Sequence, residues 1–159
     1  MNILVTLDRN YLPPLRVMLG SLLRNDPAET FDIYTIGDGL LPEDWAGLEA
    51  LCAGRGRIHP VEVPADLFAD APVARYWTRA MYYRLLAAEL LPQSLDRVLY
   101  LDPDILVINS VQPLYEMDLE GNLMAAATHT GLLAGITDPV NRLRLENYEA
   151  EAYYNSGVL

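Results

Sequence analysis

The chain has no lysine, one cysteine and two histidines, and no excess of positive charge. Each scarcity removes a class of function. All 11 basic residues are arginine against 22 acidic ones, giving a formal net charge of -11. A general basic field that could hold a polyanion is therefore missing, and nucleic acid is not an expected partner. The surplus of carboxylates suits a divalent cation better, although most acidic side chains on any protein are simply solvated. The only permanent side-chain cation is arginine, which stays protonated and binds phosphate with a planar fork. Cys52, standing alone, excludes an intrachain disulfide and agrees with a reducing compartment. Its apolar helical neighbourhood marks a buried structural thiol rather than a nucleophile. The opening MNILVTLDRNY has neither a basic leader nor a long apolar stretch, so no secretory signal or transmembrane segment is read there, and the cytoplasm is the default location. There is no G-x-G-x-x-G, which argues against a dinucleotide site.

What is present suits one compact α/β domain. At 159 residues, with 52% hydrophobic and 21% charged residues, the composition is that of a folded chain, and a single domain spanning 1–159 is expected. Asn2 to Leu7 is a β-branched apolar run bounded by Asp8, which reads as a buried strand. Leu15, Met18, Leu19, Leu22 and Leu23 then fall on one helix face, with Pro13 or Pro14 tolerated in its first turn. Phe31 to Ile36 reads as a strand, Pro42 to Ala53 as a helix capped by Gly54, and Ile58 to Val63 as a third strand. Pro64 to Trp77 is irregular, and Thr78 is placed to cap a helix from Arg79 to Leu91 that Pro92 ends. Arg97 to Ile108 reads as strand, polar elbow and second strand. Leu123 to Ala127 is a further short apolar run, Asp138 to Asn147 a weak helix, and Tyr153 to Leu159 the start of another strand. Strands alternating with helices predict a mostly parallel sheet with ligands gathered at its carboxyl edge.

Three constellations can carry chemistry. Asp102 and Asp104 lie two residues apart after an apolar strand, with Pro103 stiffening the turn, so both carboxylates can face one hard cation that bridges to phosphate. The plainer alternative is a pair of solvated turn residues. Thr6-Leu7-Asp8-Arg9-Asn10-Tyr11 ends the first strand, where doubly wound folds bind nucleotides. There Asp8 and Asn10 can hydrogen-bond a base or ribose and Tyr11 can lie on a base ring; the alternative is an ordinary polar turn. Arg84 sits within Tyr82-Tyr83-Arg84-Leu85, where a phosphate or one of the elbow aspartates would partner it, unless it reaches solvent.

VTLDRNY, YYRLLAAELLP, DRVLYLDPDILV and YYNSGVL, in this order along nearly the whole chain, resemble the family 8 glycosyltransferases, retaining enzymes that include lipopolysaccharide galactosyl- and glucosyltransferases and glycogenin. The resemblance implies a GT-A-like α/β domain and transfer of glucose or galactose from a UDP-sugar donor to a saccharide acceptor. It implies that Asp102 and Asp104 bind Mn²⁺ or Mg²⁺ under the donor diphosphate. Thr6, Asp8, Asn10 and Tyr11 match the segment that holds uridine, Arg84 the arginine at donor sugar and phosphate, and Asn155 an asparagine facing the sugar.

Two departures stand out. An acidic residue common in the family after the strand matched by Leu123 to Ala127 is replaced by Thr128-His129-Thr130. The region beyond N-S-G, which holds a third metal ligand, a histidine, is absent, and neither His59 nor His129 matches it. The chain is accordingly expected to be incomplete at its carboxyl end, and its apolar Gly157-Val158-Leu159 end is expected to favour a homodimer. Two rival readings remain at this point, a phosphatase of the haloacid dehalogenase type, disfavoured by the late position of the elbow, and a non-catalytic binding or assembly fragment.

Overall fold

The first strand is apolar on both of its faces, and that property dictates the architecture. In the computed structural model, which describes residues 1–64, 80–127 and 155–159, β1 (Asn2–Asp8) buries every residue from Ile3 to Leu7. A strand without a polar face must be covered on both sides, as in parallel sheets flanked by helices. The sheet has the order β3-β2-β1-β4, with β2 at Phe31–Asp38, β3 at Gly56–Pro60 and β4 at Leu99–Tyr100. All three pairings are parallel, with Ile3 opposite Ile33 and Leu99, and Ile33 opposite Ile58. The chain groups into two compact units, Met1–Met117 and Asp118–Leu159. The sheet belongs to the first.

Helix α1 (Leu12–Asn25) buries Leu15, Met18, Leu19, Leu22 and Leu23, the face that the apolar spacing predicts, and carries proline in its first turn. Helix α2 (Pro42–Cys52) follows β2, and Gly54 adopts a φ of +87° just past its end, a left-handed conformation that glycine reaches without steric cost. Both βα connections thus agree with the reading from sequence.

The structure departs from expectation in five places. The third strand stops at Pro60 rather than Val63; Val61 still donates to the carbonyl of Thr35 at 2.9 Å, so the nitrogen of Pro60 faces the open edge of the sheet, where a missing N–H costs nothing. The predicted helix over 79–91 is interrupted within the described residues. It runs as α3 (Ala80–Tyr83), a 3₁₀ turn (Arg84–Leu86) and α4 (Ala87–Leu90), and Leu91 is already extended ahead of Pro92. The strand expected over 105–108 does not form. The backbone groups of Val107 are instead taken by side chains of α1: its N–H donates to Ser21 Oγ at 3.0 Å, and its carbonyl accepts from Asn25 Nδ2 at 2.9 Å. A short helix not foreseen from the sequence, α5 (Gln112–Tyr115), follows. Leu123 to Ala127 forms no strand either, and Leu123 and Met124 are exposed. The readings at Pro64–Trp77, Thr78 and Asp138–Asn147 lie wholly or largely outside the described residues.

The carboxylate of Asp26, at the end of α1, is buried and receives the hydroxyl of Ser110 and the N–H of Val111. Together with Ser21 and Asn25 it fastens the segment after the elbow onto α1. Asp26→Ala leaves buried donors unpaired and is expected to destabilise the chain by about 1–3 kcal/mol, read as a lower urea midpoint at unchanged slope. Cys52 is fully buried, and burial pushes its thiol up to about 11. Native protein at pH 8 is therefore expected to resist iodoacetamide, with stoichiometric labelling appearing only after denaturation. Rapid labelling of the folded chain would contradict this placement.

Candidate functional site

The pairing of β1 with β4 brings two chemically distinct loops to the same edge of the sheet. Where β1 ends, Asp8 caps the 3₁₀ turn Arg9–Tyr11, its Oδ1 accepting the N–H of Asn10 at 2.8 Å. That turn leaves Arg9, Asn10 and Tyr11 exposed, Tyr11 at 39%. Arg9 swings back to α2, where its Nε meets Asp44 Oδ2 at 2.8 Å. The same Asp44 oxygen accepts the N–H of Leu41 at 3.0 Å. The Leu41 hydrogen bond, and then Arg9, hold the Asp44 carboxyl below its ordinary value against the opposing effect of desolvation. The Asp8–Tyr11 loop is thereby tied to the start of α2.

Where β4 ends, Leu101 still donates to the carbonyl of Leu4 at 3.0 Å, and the chain then turns through Asp102, Pro103 and Asp104. The Ile105 N–H closes the turn on the Asp102 carbonyl at 3.5 Å. Pro103 is buried, Asp102 half-buried and Asp104 exposed. Asp102 Oδ1 accepts the Tyr100 hydroxyl at 2.5 Å and faces Arg84 Nη1 at 3.1 Å. Arg84 also lies over the Tyr100 ring, 4.6 Å from its centroid. On its other side the Tyr100 hydroxyl meets Thr6 Oγ1 at 3.2 Å. Burial raises the Tyr100 phenol well above its ordinary value, and the bond to Asp102 adds to that, so it remains a protonated donor.

The structure thus joins Thr6, Arg84 and Asp102 in one network and keeps Asp8 and Asn10 in a turn of their own. Thr6 is buried, with its hydroxyl directed at Tyr100. Of the two partners read for Arg84 from the sequence, an elbow aspartate is the one observed. Asn155 lies in the second unit, exposed, with its Oδ1 accepting from Gly157 N at 2.7 Å and its own N–H donating to Ala127 at 2.8 Å. Tyr100 was missed by sequence reasoning. The available signal was periodicity: residues two apart on a strand point the same way, so Tyr100 and Asp102 share a face.

The donor set fits a hard cation. Asp102 Oδ2 and the Asp104 carboxylate have no hydrogen-bond partner among the described residues, and both are oxygen ligands of the kind that Mg²⁺ and Mn²⁺ prefer. Among the described residues no group of three or more His, Cys, Asp or Glu side chains that could hold a metal occurs. A separate cavity of about 350 Å³ lies at the opposite, amino end of the sheet, lined by Asn2, Asp96, Arg97 and Tyr115 among others. It is remote from these groups.

Known proteins share this fold. The lipopolysaccharide 1,2-glucosyltransferase of Escherichia coli K12 is 29% identical over 100% of this chain and 46% of its own length. The lipopolysaccharide 1,3-galactosyltransferase of Salmonella typhimurium is 28% identical over 99% of the chain and 47% of its own. The chain spans about half the length of these curated relatives. The crystal structure of galactosyltransferase LgtC in complex with donor and acceptor sugar analogs superposes with a TM-score of 0.82 at 29% identity, covering 99% of this chain and 56% of that one. The fold is accordingly of the GT-A kind. The family model described as Glycosyl transferase family 8 matches residues 2–159, and the chain belongs to that family.

Proposed function

We propose that this chain carries the donor-binding part of a retaining hexosyltransferase, which moves glucose or galactose from a UDP-sugar to a saccharide acceptor with a divalent ion, Mn²⁺ or Mg²⁺, held by Asp102 and Asp104. The observation that carries the reading is the elbow itself. It offers carboxylate oxygens without a hydrogen-bond partner among the described residues, at the carboxyl edge of a parallel sheet and on the residue that meets Arg84. Relatives named as lipopolysaccharide glucosyl- and galactosyltransferases support the hexose and saccharide assignments.

Each residue has a definable task. The ring of Tyr11 is available to stack on a nucleobase, and Asp8, with one oxygen used by Asn10, keeps the other for a base or ribose donor. The Asn10 side chain can both donate and accept. Arg84 sets a permanent positive charge where the diphosphate and the sugar meet. Asn155 is assigned to the sugar by its match to the family's asparagine. A divalent ion held by Asp102 and Asp104 would supply Lewis acidity for the charge that develops on the departing diphosphate.

Calorimetric titration with UDP is expected to show binding that requires Mn²⁺ and disappears with EDTA. Asp104 is exposed and unbonded among the described residues, so Asp104→Ala should keep its thermal midpoint while losing metal-dependent binding. UDP binding that ignores both the metal and this substitution would refute the assignment. Tyr11→Ala should weaken UDP by about 1–3 kcal/mol, the range for loss of one base–aromatic stack, with no comparable loss for inorganic pyrophosphate. Equal losses for the two ligands would remove Tyr11 from the base site.

A further inference from the structure

Two hydrogen bonds at the Tyr100 hydroxyl have a fixed direction. An ionised Asp102 can only accept, so Tyr100 donates to it, and the remaining partner, Thr6, donates to Tyr100 in turn. The chain of donors runs from β1, through β4, into the elbow. Thr6 is 4% exposed and Tyr100 3%, so water does not readily substitute for either group. Arg84 approaches the same oxygen, Oδ1, from the 3₁₀ turn that follows α3. Both contacts of the Asp102 carboxylate therefore fall on one atom, while Oδ2 has none among the described residues.

We propose that Tyr100 is a positioning residue that holds Asp102 to one-oxygen coordination and so makes the elbow prefer small octahedral cations over calcium. This rests on the reading of Asp102 and Asp104 as cation ligands. Calcium takes more oxygens, at longer range and often with both atoms of one carboxylate, whereas Mg²⁺ demands a tight octahedron of single oxygens. A carboxylate whose Oδ1 is already engaged by a phenol and a guanidinium can offer Oδ2 alone. Thr6 belongs to the same device, because its hydroxyl orients the phenol that orients the carboxylate.

Tyr100→Phe keeps the ring beneath Arg84 and removes only the hydroxyl. In the presence of UDP, with UDP alone as the blank, the electron paramagnetic resonance signal of free Mn²⁺ reports affinity, and added Ca²⁺ reports preference by displacement. Tyr100→Phe is expected to weaken Mn²⁺ about tenfold, the scale on which groups behind metal ligands act, and to weaken Ca²⁺ less, narrowing the preference. Thr6→Val should shift both values in the same direction by a smaller factor. If wild type binds Mn²⁺ and Tyr100→Phe, folded by circular dichroism, keeps the same Mn²⁺-to-Ca²⁺ ratio, the positioning role is overturned. Should Tyr100→Phe fail to fold, an unchanged ratio in Thr6→Val overturns it instead. A wild-type chain that binds no Mn²⁺ brings down the metal reading itself, an outcome distinct from either.

Discussion

The parallel pairing of β1 with β4 is the constraint on which the candidate site depends. Only the registers Ile3 opposite Leu99 and Leu4 opposite Tyr100 define it, continued by the bond from Leu101 to Leu4. Because side chains alternate along a strand, a slip of one residue would turn Tyr100 and Asp102 to the other face and separate them from Thr6. A strand apolar on both faces, as β1 is, does not by itself select one register, and the buried contact of Thr6 with Tyr100 is what favours the observed one. Two residues of regular strand therefore suffice to place the elbow. The rest of its position comes from side chains of α1, which occupy the backbone of Val107 and receive Val111.

Much of this was legible from the sequence, for a definite reason. Long segments with one clear period, such as β1 and α1, are governed by their own burial pattern, and they form where that pattern puts them. The misreadings occur where tertiary contacts override local pattern. Ile105 to Ile108 has the composition of a strand, but Ser21 and Asn25 satisfy Val107 before a neighbouring strand can. The break at Arg84–Leu86 is likewise invisible to helix propensity. Because the helical segment gives way to a 3₁₀ turn at Arg84, the arginine that meets Asp102 comes from a tight turn rather than a regular helix.

For the candidate site, residue types and spacing pointed to Asp102, Asp104, Arg84 and the Asp8–Tyr11 loop, but not to the contacts among them. Nothing in the local sequence indicated that the Thr6 hydroxyl faces inward to Tyr100 rather than outward to a ligand. That information is three-dimensional, because the two residues are 94 positions apart and meet only across the sheet. Asp44, in the first turn of α2, likewise meets a residue far from it in sequence, holding Arg9 and hence the loop that ends β1.

The electrostatics of the edge explain why a cation belongs to the proposed function. Asp8 and Asp38 stand opposite each other in register, and the elbow adds Asp102 and Asp104 just past the end of β4. Against these four carboxylates the described residues place Arg84, whose charge is already shared with Asp102, and Arg9, which is turned to Asp44. A diphosphate brought to such an edge meets like charge, and repulsion of this kind costs several kcal/mol when water is excluded. In the function proposed above, a divalent ion held by Asp102 and Asp104 would supply the positive charge that offsets this repulsion. With no lysine in the sequence to supply a mobile compensating charge, that proposal leaves the ion and Arg84 together to make so acidic an edge receptive to a diphosphate.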